Sequence, residues 1–88
     1  MAWKIEFDHR ALKEFKKLDR SIQKTMLKYL KERIATADDP RLLGKALADN
    51  LKGLWRYRVG NYRIICQVIE DEITILVLRV GHRRLIYE

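Results

Sequence analysis

The stretch 54-LWRYRVGNYRIICQV-68 consists of two strand-like segments separated by Gly60 and Asn61. Glycine in the first central position of a two-residue loop is typical of a type II′ β-turn, which joins neighbouring antiparallel strands. We therefore predict a β-hairpin with strands at 54–59 and 62–69.

The predicted turn places Arg58 directly opposite Arg63 on the paired strand. Because side chains alternate along a strand, Arg56 shares the face of Arg58, whereas Trp55 and Tyr57 project from the other face. Like charges that oppose each other across two strands are destabilising. We therefore predict an apolar face covered by helices, and an arginine face whose repulsion is relieved by a bound anion such as phosphate.

Segments on both sides of the hairpin complete the predicted fold. Residues 3–7 alternate like a short strand, Asp8 suits the N-cap of a first helix, and 21–37 has the apolar spacing of a second helix. We interpret 41–53 as a connecting loop and 73–80 as a last strand. The predicted class is α+β, with two N-terminal helices packed on a small, mainly antiparallel sheet in the order β-α-α-β-β-β. The first strand should join this sheet, at a position that the sequence leaves open.

Composition restricts the functional classes. The 88 residues are 48% apolar and 35% charged, which predicts one globular domain spanning 1–88. The net charge of +7 predicts an anionic partner. The single cysteine, Cys66, excludes an internal disulfide and is expected to be buried. We recognise neither a secretory signal nor an apolar run of membrane-spanning length, so we expect a cytoplasmic protein outside membranes.

The type of basic residue changes along the chain. Lysine predominates up to Arg33, whereas from Trp55 onward arginine replaces it completely. A guanidinium binds phosphate through two parallel hydrogen bonds, so the second half of the chain is expected to hold the anion site. We interpret the acidic run 70–72 as a turn, and we expect no metal and no cofactor. The arginines of the second half are Arg56, Arg58, Arg63, Arg79, Arg83 and Arg84.

A longer pattern runs through 5-IEFDHRALKEFKKLD-19, 40-PRLLGKAL-47, 54-LWRYRVGNYRIICQV-68 and 77-VLRVGHRRLIY-87. Its most specific part is aromatic–Arg–x–Arg–x–Gly–x–Tyr–Arg, followed by an ending of Val–Gly–His–Arg and a later tyrosine. In this pattern, which covers nearly the whole length, the chain resembles the RelE/ParE superfamily of toxins from toxin–antitoxin pairs, and its RelE branch in particular.

The resemblance implies a fold with two N-terminal helices on a small sheet. It also implies a metal-independent endoribonuclease, an mRNA interferase that cuts messenger RNA in the A site of the 30S ribosomal subunit and so inhibits translation. The expected partners are the ribosome, mRNA and a cognate RelB-like antitoxin. The toxin–antitoxin complex is expected to bind operator DNA through the antitoxin.

The resemblance further implies roles for individual residues. Arg63 matches the arginine at the scissile phosphate, Arg83 a second arginine of the site, and Tyr87 the C-terminal tyrosine of proton transfer and base stacking. Arg58 is the fourth expected catalytic residue, because guanidinium groups stabilise the negative charge that develops on the phosphorane transition state. The residues expected to bind the substrate are Arg56, Arg58, His82, Arg84 and Lys52.

Two questions stay open at this point. The base that removes the 2′ proton is either Tyr87, whose phenolate is favoured by nearby arginines, or His82, since imidazole titrates nearer to neutral pH than a phenol does. Against His82, neighbouring residues of an extended chain point to opposite sides, and Arg83 follows it directly. The activity itself is RNA cleavage, inhibition of DNA gyrase as in ParE-like toxins, or RNA binding without catalysis.

Overall fold

The computed structural model describes residues 2–47 and 53–84. Five strands form one mixed sheet in the order β1–β5–β4–β3–β2, and two helices contribute to the core on one of its faces. The strands are β1 (Lys4–Phe7), β2 (Lys45–Ala46), β3 (Leu54–Val59), β4 (Tyr62–Ile69) and β5 (Thr74–His82), and the helices are α1 (His9–Lys16) and α2 (Arg20–Tyr29). The α+β class is confirmed.

The central hairpin has the predicted register. Val59 pairs with Tyr62, and Arg58 pairs with Arg63. Gly60 has a φ of 59°, and Asn61 lies outside the left-handed region, which matches a type II′ turn. Because side chains alternate along the two strands, the hairpin has the two faces that were predicted, one apolar and one with the arginines.

The first strand joins the sheet as predicted, whereas the strand at the other edge was not predicted. β1 lies beside β5 and runs parallel to it, from the pair Lys4 with Thr74 to the pair Phe7 with Val77. β2 pairs antiparallel with β3, so the interpretation of 41–53 as a connecting loop is wrong at Lys45–Ala46. A two-residue strand has no alternation that a sequence pattern could reveal.

Gly44 allows this second edge to form. A Cβ at this position would lie 2.7 Å from the backbone oxygen of Arg56 and 2.8 Å from Cε1 of Tyr57. The absence of a side chain therefore lets the chain run closely against β3. A 3₁₀ turn at Pro40–Leu43 precedes this point, and Tyr57 anchors the turn by donating from its hydroxyl to the Pro40 carbonyl at 2.8 Å.

The helices begin as expected, but the second one ends differently. The Asp8 side chain caps α1 by accepting the Ala11 backbone N–H at 2.8 Å, and this N-cap prediction is confirmed. α2 continues as a π-helical turn over Leu30–Ile34 and stops short of the predicted residue 37. Trp3 explains this end, because its backbone N–H and its indole N–H donate to the carbonyls of Ala35 and Ala37.

The main core lies between the helices and one sheet face. Cys66 is fully buried there, as predicted, and this burial raises the pKa of its thiol. A smaller cluster on the opposite face consists of Leu47, Ile65 and Leu54. Among the described residues, no helix has the length and apolar character that crossing a bilayer requires. The buried residues of the main core are Trp3, Ala11, Phe15, Met26, Leu30, Ile34, Tyr57, Ile64, Cys66, Ile75, Val77 and Val80.

Candidate functional site

Three arginines of the central hairpin share one face of the sheet. Arg58 on β3 lies directly opposite Arg63 on β4. Arg56 precedes Arg58 by two residues and therefore projects from the same face. The predicted opposition of like charges is present, and the arrangement concentrates positive charge on the face away from the helices.

These three arginines line one cleft of about 270 Å³. The 3₁₀ turn and β2 also line the cleft, to which they contribute Leu42 and Lys45. Lys45 pairs directly with Arg56 across the two strands, so it adds a fourth cation that the sequence analysis did not single out. We call this site the arginine cleft; its lining residues are Leu42, Leu43, Gly44, Lys45, Arg56, Arg58 and Arg63.

Arg63 is the most shielded cation of the arginine cleft. Only 8% of its surface is exposed, and its Nη1 donates to the Tyr62 carbonyl at 3.2 Å. Burial lowers the pKa of Arg63, and the positive charges of Arg58, Arg56 and Arg83 lower it further. A guanidinium nevertheless keeps its proton in proteins, so the positive charge is held in place and favours an anion.

Arg83 approaches the same site from β5. Its backbone N–H donates to the Asn61 carbonyl at 2.9 Å, which ties the segment after β5 to the hairpin turn. Its charge acts on Arg63 together with those of the hairpin arginines. The structure therefore brings together four of the predicted site residues: Arg56, Arg58, Arg63 and Arg83.

His82 lies on the other face. It pairs with Tyr62, and the two rings make an edge-to-face contact with their centroids 5.5 Å apart. Its Nδ1 accepts the backbone N–H of Arg84 at 3.2 Å, and the Arg84 side chain is exposed. Tyr62 packs against the main core, so His82 faces away from the arginine cleft.

Two predicted site residues, Lys52 and Tyr87, lie outside the described parts of the chain. Arg79 is described but does not join the arginine cleft, because its guanidinium binds the Glu14 carboxylate on α1. Within residues 2–47 and 53–84, no group of three or more His, Cys, Asp or Glu side chains is placed to hold a metal ion. The chemistry that the arrangement supports is the binding of a phosphate and the stabilisation of added negative charge on it.

Comparison with known proteins identifies relatives over nearly the whole length. The family model described as ParE toxin of type II toxin–antitoxin system, parDE, matches residues 5–87. The mRNA interferase toxin RelE of Escherichia coli K12 is 33% identical over 88 residues, covering 94% of this chain and 85% of RelE.

Solved structures agree with this similarity. The chain in the toxin–antitoxin complex RelBE2 from Mycobacterium tuberculosis superposes with a TM-score of 0.86 at 25% identity, covering 94% of this chain and 93% of that one. The isolated E. coli RelE toxin superposes with a TM-score of 0.73 at 26% identity, covering 92% and 84%.

Proposed function

Because the chain belongs to the RelE/ParE superfamily of toxins from type II toxin–antitoxin systems, we propose that it is an endoribonuclease that cleaves messenger RNA in the ribosomal A site. Its action would stop translation. The observation that carries the proposal is Arg63, a shielded cation that lies among three further arginines on one side of the sheet. An RNA phosphate is the anion that such a site would hold during cleavage.

The proposed reaction uses the substrate's own 2′-hydroxyl as the nucleophile. This oxygen gives its proton to the base and attacks the adjacent phosphorus, and the bond from phosphorus to the 5′ oxygen breaks. The departing 5′ oxygen takes a proton from water, so the products are a 2′,3′-cyclic phosphate and a 5′-hydroxyl. Negative charge grows on the phosphoryl oxygens in the transition state. Arg58, Arg63 and Arg83 stabilise this charge through charge-assisted hydrogen bonds, and the mechanism requires no metal.

Tyr87 is the base in this proposal. Cations close to a phenol favour its ionised form and so make it a better proton acceptor. His82 is the weaker candidate, since it packs against Tyr62 on the opposite face and its Nδ1 already accepts a hydrogen bond. Arg56, Lys45, Arg84 and Lys52 are proposed to contact the RNA backbone, where each phosphate contact would make binding more sensitive to salt.

A cognate RelB-like antitoxin is the proposed protein partner. Solved relatives include the RelBE2 complex from M. tuberculosis and the intact E. coli RelBE complex. The net charge of +7 suits an acidic partner. Leu42 is 82% exposed beside the arginine cleft and offers an apolar contact. We further propose that the protein acts in the cytoplasm and that the complex binds operator DNA through the antitoxin.

Inhibition of DNA gyrase is the second candidate function, and the family model's description as a ParE toxin favours it. The similarity to RelE over 94% of this chain and the clustering of four arginines favour RNA cleavage instead. A gyrase supercoiling assay separates the two candidates. Loss of supercoiling without any RNA cleavage would replace the first proposal by the second.

Primer extension on a translated message tests the proposal directly. Purified protein added to translating ribosomes should produce new cleavage ends, and Arg63→Ala should remove them. Arg20→Ala, which deletes an exposed arginine at the start of α2, is the matched control and should cleave normally. An intact message in the presence of folded wild-type protein and active ribosomes would contradict the proposal.

A further inference from the structure

The outer edge of β5 is covered by two different partners. β1 pairs with β5 only as far as Val77, although β5 continues to His82. Beyond this point the carboxylate of Glu14 on α1 contacts β5 at Arg79 and Val80. A strand end without an outer neighbour has backbone N–H groups that need another acceptor.

Glu14 provides that acceptor. Its Oε1 accepts the backbone N–H of Val80 at 3.1 Å. Its two oxygens also accept from Arg79, at 3.2 and 3.0 Å from Nε and at 2.9 Å from Nη2. The two side chains are 23% and 32% exposed. This contact joins residues that are 65 positions apart in sequence, and its several charge-assisted bonds distinguish it from an ordinary surface ion pair.

A β-bulge lies directly before the residues that Glu14 holds. Ile65 pairs with Arg79, whereas Cys66 pairs with Val77, so Leu78 is an additional residue on β5. A bulge bends its strand and changes the direction of the residues that follow. Beyond the bulge, β4 holds β5 on its inner side, and Glu14 holds it on its outer side at Arg79 and Val80.

Two residues after this point, Gly81 and Arg83, lie next to the hairpin that carries the arginine cleft. Gly81 pairs with Arg63, and Arg83 reaches the hairpin turn through its bond to Asn61. The charge of Arg83 lowers the pKa of Arg63, whereas the guanidinium of Arg79 binds Glu14 on α1. Glu14 thus makes two contacts: it accepts the backbone N–H of Val80 on the strand that leads to Arg83, and it binds the guanidinium of Arg79.

We propose that Glu14 is a positioning residue for RNA cleavage, whose carboxylate holds the end of β5 so that Arg83 meets the same phosphate as Arg63. This inference rests on the proposed function and deepens it. Glu14 acts through Arg83 and makes no contact with the RNA.

A double-mutant cycle tests the inference, with single-turnover cleavage of ribosome-bound message as the measurement. Glu14→Ala should lower the cleavage rate about 10- to 100-fold, the range expected when a catalytic group is slightly misplaced. KM should hardly change, because the contact of Arg83 with the phosphate is expected to matter mainly in the transition state. In an Arg83→Ala background the same Glu14→Ala change should lower the rate by less than about twofold.

Matched variants separate positioning from a loss of folding. Glu14→Gln keeps an oxygen for the Val80 N–H and should recover most of the rate, and Arg10→Met removes only a 3.9 Å contact to Glu14 and should cleave normally. Rates are compared per folded molecule. If Glu14→Ala does not fold, the cycle is run with Glu14→Met, which keeps the length of the side chain but offers no oxygen to the Val80 N–H, and if Arg83→Ala is inactive, it is run with Arg83→Lys.

Amide hydrogen exchange gives a second measurement that needs no RNA. Glu14→Ala should accelerate exchange at Val80 and at Arg83 about tenfold or more, while exchange at Ile64 in the hairpin stays near its wild-type rate. Equal losses of cleavage in both backgrounds, or unchanged exchange at Arg83, would overturn the inference. Absence of cleavage by the wild-type protein would instead overturn the proposed function, so the two failures are distinguishable.

Discussion

Arg58→Gln should stabilise the fold while impairing RNA cleavage. Arg58 is exposed and lies directly opposite the shielded Arg63. Glutamine keeps the length and hydrogen-bonding capacity of the side chain but removes its charge. The substitution therefore tests whether the hairpin carries a repulsion that is useful only when an anion is bound.

The size of the stabilisation expected for Arg58→Gln follows from the strand register. Directly opposed side chains start from Cβ atoms about 5 Å apart. Two unit charges about 6 Å apart interact by about 3 kcal/mol at an effective dielectric constant of about 20. Because Arg58 is exposed, solvent screening and side-chain motion reduce the expected gain to about 0.5–1 kcal/mol. For a chain of this size the midpoint of thermal unfolding should rise by about 2–8 °C.

Urea and thermal unfolding at low and high salt provide the assay. Lys24→Gln is the matched control, because it also lowers the net charge from +7 to +6 but removes an exposed lysine of α2. The advantage of Arg58→Gln over this control should shrink with added salt, since screening weakens the repulsion. Phosphate should stabilise the wild type more than Arg58→Gln. If Arg58→Gln were no more stable than Lys24→Gln at low salt, the argument from repulsion would be wrong.

Three further predictions concern other parts of the molecule. Gly44→Ala should lower the free energy of unfolding in urea by about 1–3 kcal/mol, because the new Cβ would overlap the backbone of β3; unchanged stability would contradict the packing described. Tyr87→Phe should slow single-turnover cleavage about 10²- to 10⁴-fold, the range typical of a lost general base, whereas His82→Ala should leave it nearly unchanged; the reverse result would make His82 the base. Burial raises the pKa of Tyr57, so the folded protein retains a proton that the unfolded phenol loses above about pH 10. The free energy of unfolding should therefore fall as the pH rises above about 10, and Tyr57→Phe should flatten this dependence; equal slopes in urea titrations from pH 8 to 11 would contradict the assignment.

The unfavourable contacts between like charges are concentrated at one end of the sheet. Arg58 and Arg63 oppose each other there, and Arg83 adds a further charge that lowers the pKa of Arg63. The bulge at Leu78 lies on the neighbouring strand, and the contact of Glu14 with Val80 follows it. The opposed arginines are expected to lower the stability of the isolated chain, and a bound anion would relieve their repulsion.

Much of the fold followed from local pattern. Gly60 and the alternation on either side of it predicted the hairpin and its register, and Asp8 predicted the start of α1. These features are decided by neighbours in the chain, through backbone conformation and the two-residue period of a strand. The gathering of Arg56, Arg58 and Arg63 on one face follows from the same period.

The remaining features depend on contacts between distant segments. No local signal placed β1 parallel to β5, because that pairing joins Lys4 to Thr74, at opposite ends of the chain. Lys45 lies in the arginine cleft because β2 pairs with β3, and β2 is too short to show alternation in the sequence. The sequence pattern did not distinguish Arg79 from the other arginines of the second half, yet its ion pair with Glu14 on α1 keeps it outside the arginine cleft. Sequence alone thus determined the hairpin and the sign of its charge, whereas tertiary packing decided which cations share the site. The physical reason is that long-range contacts depend on the whole fold and produce no periodic pattern in the sequence.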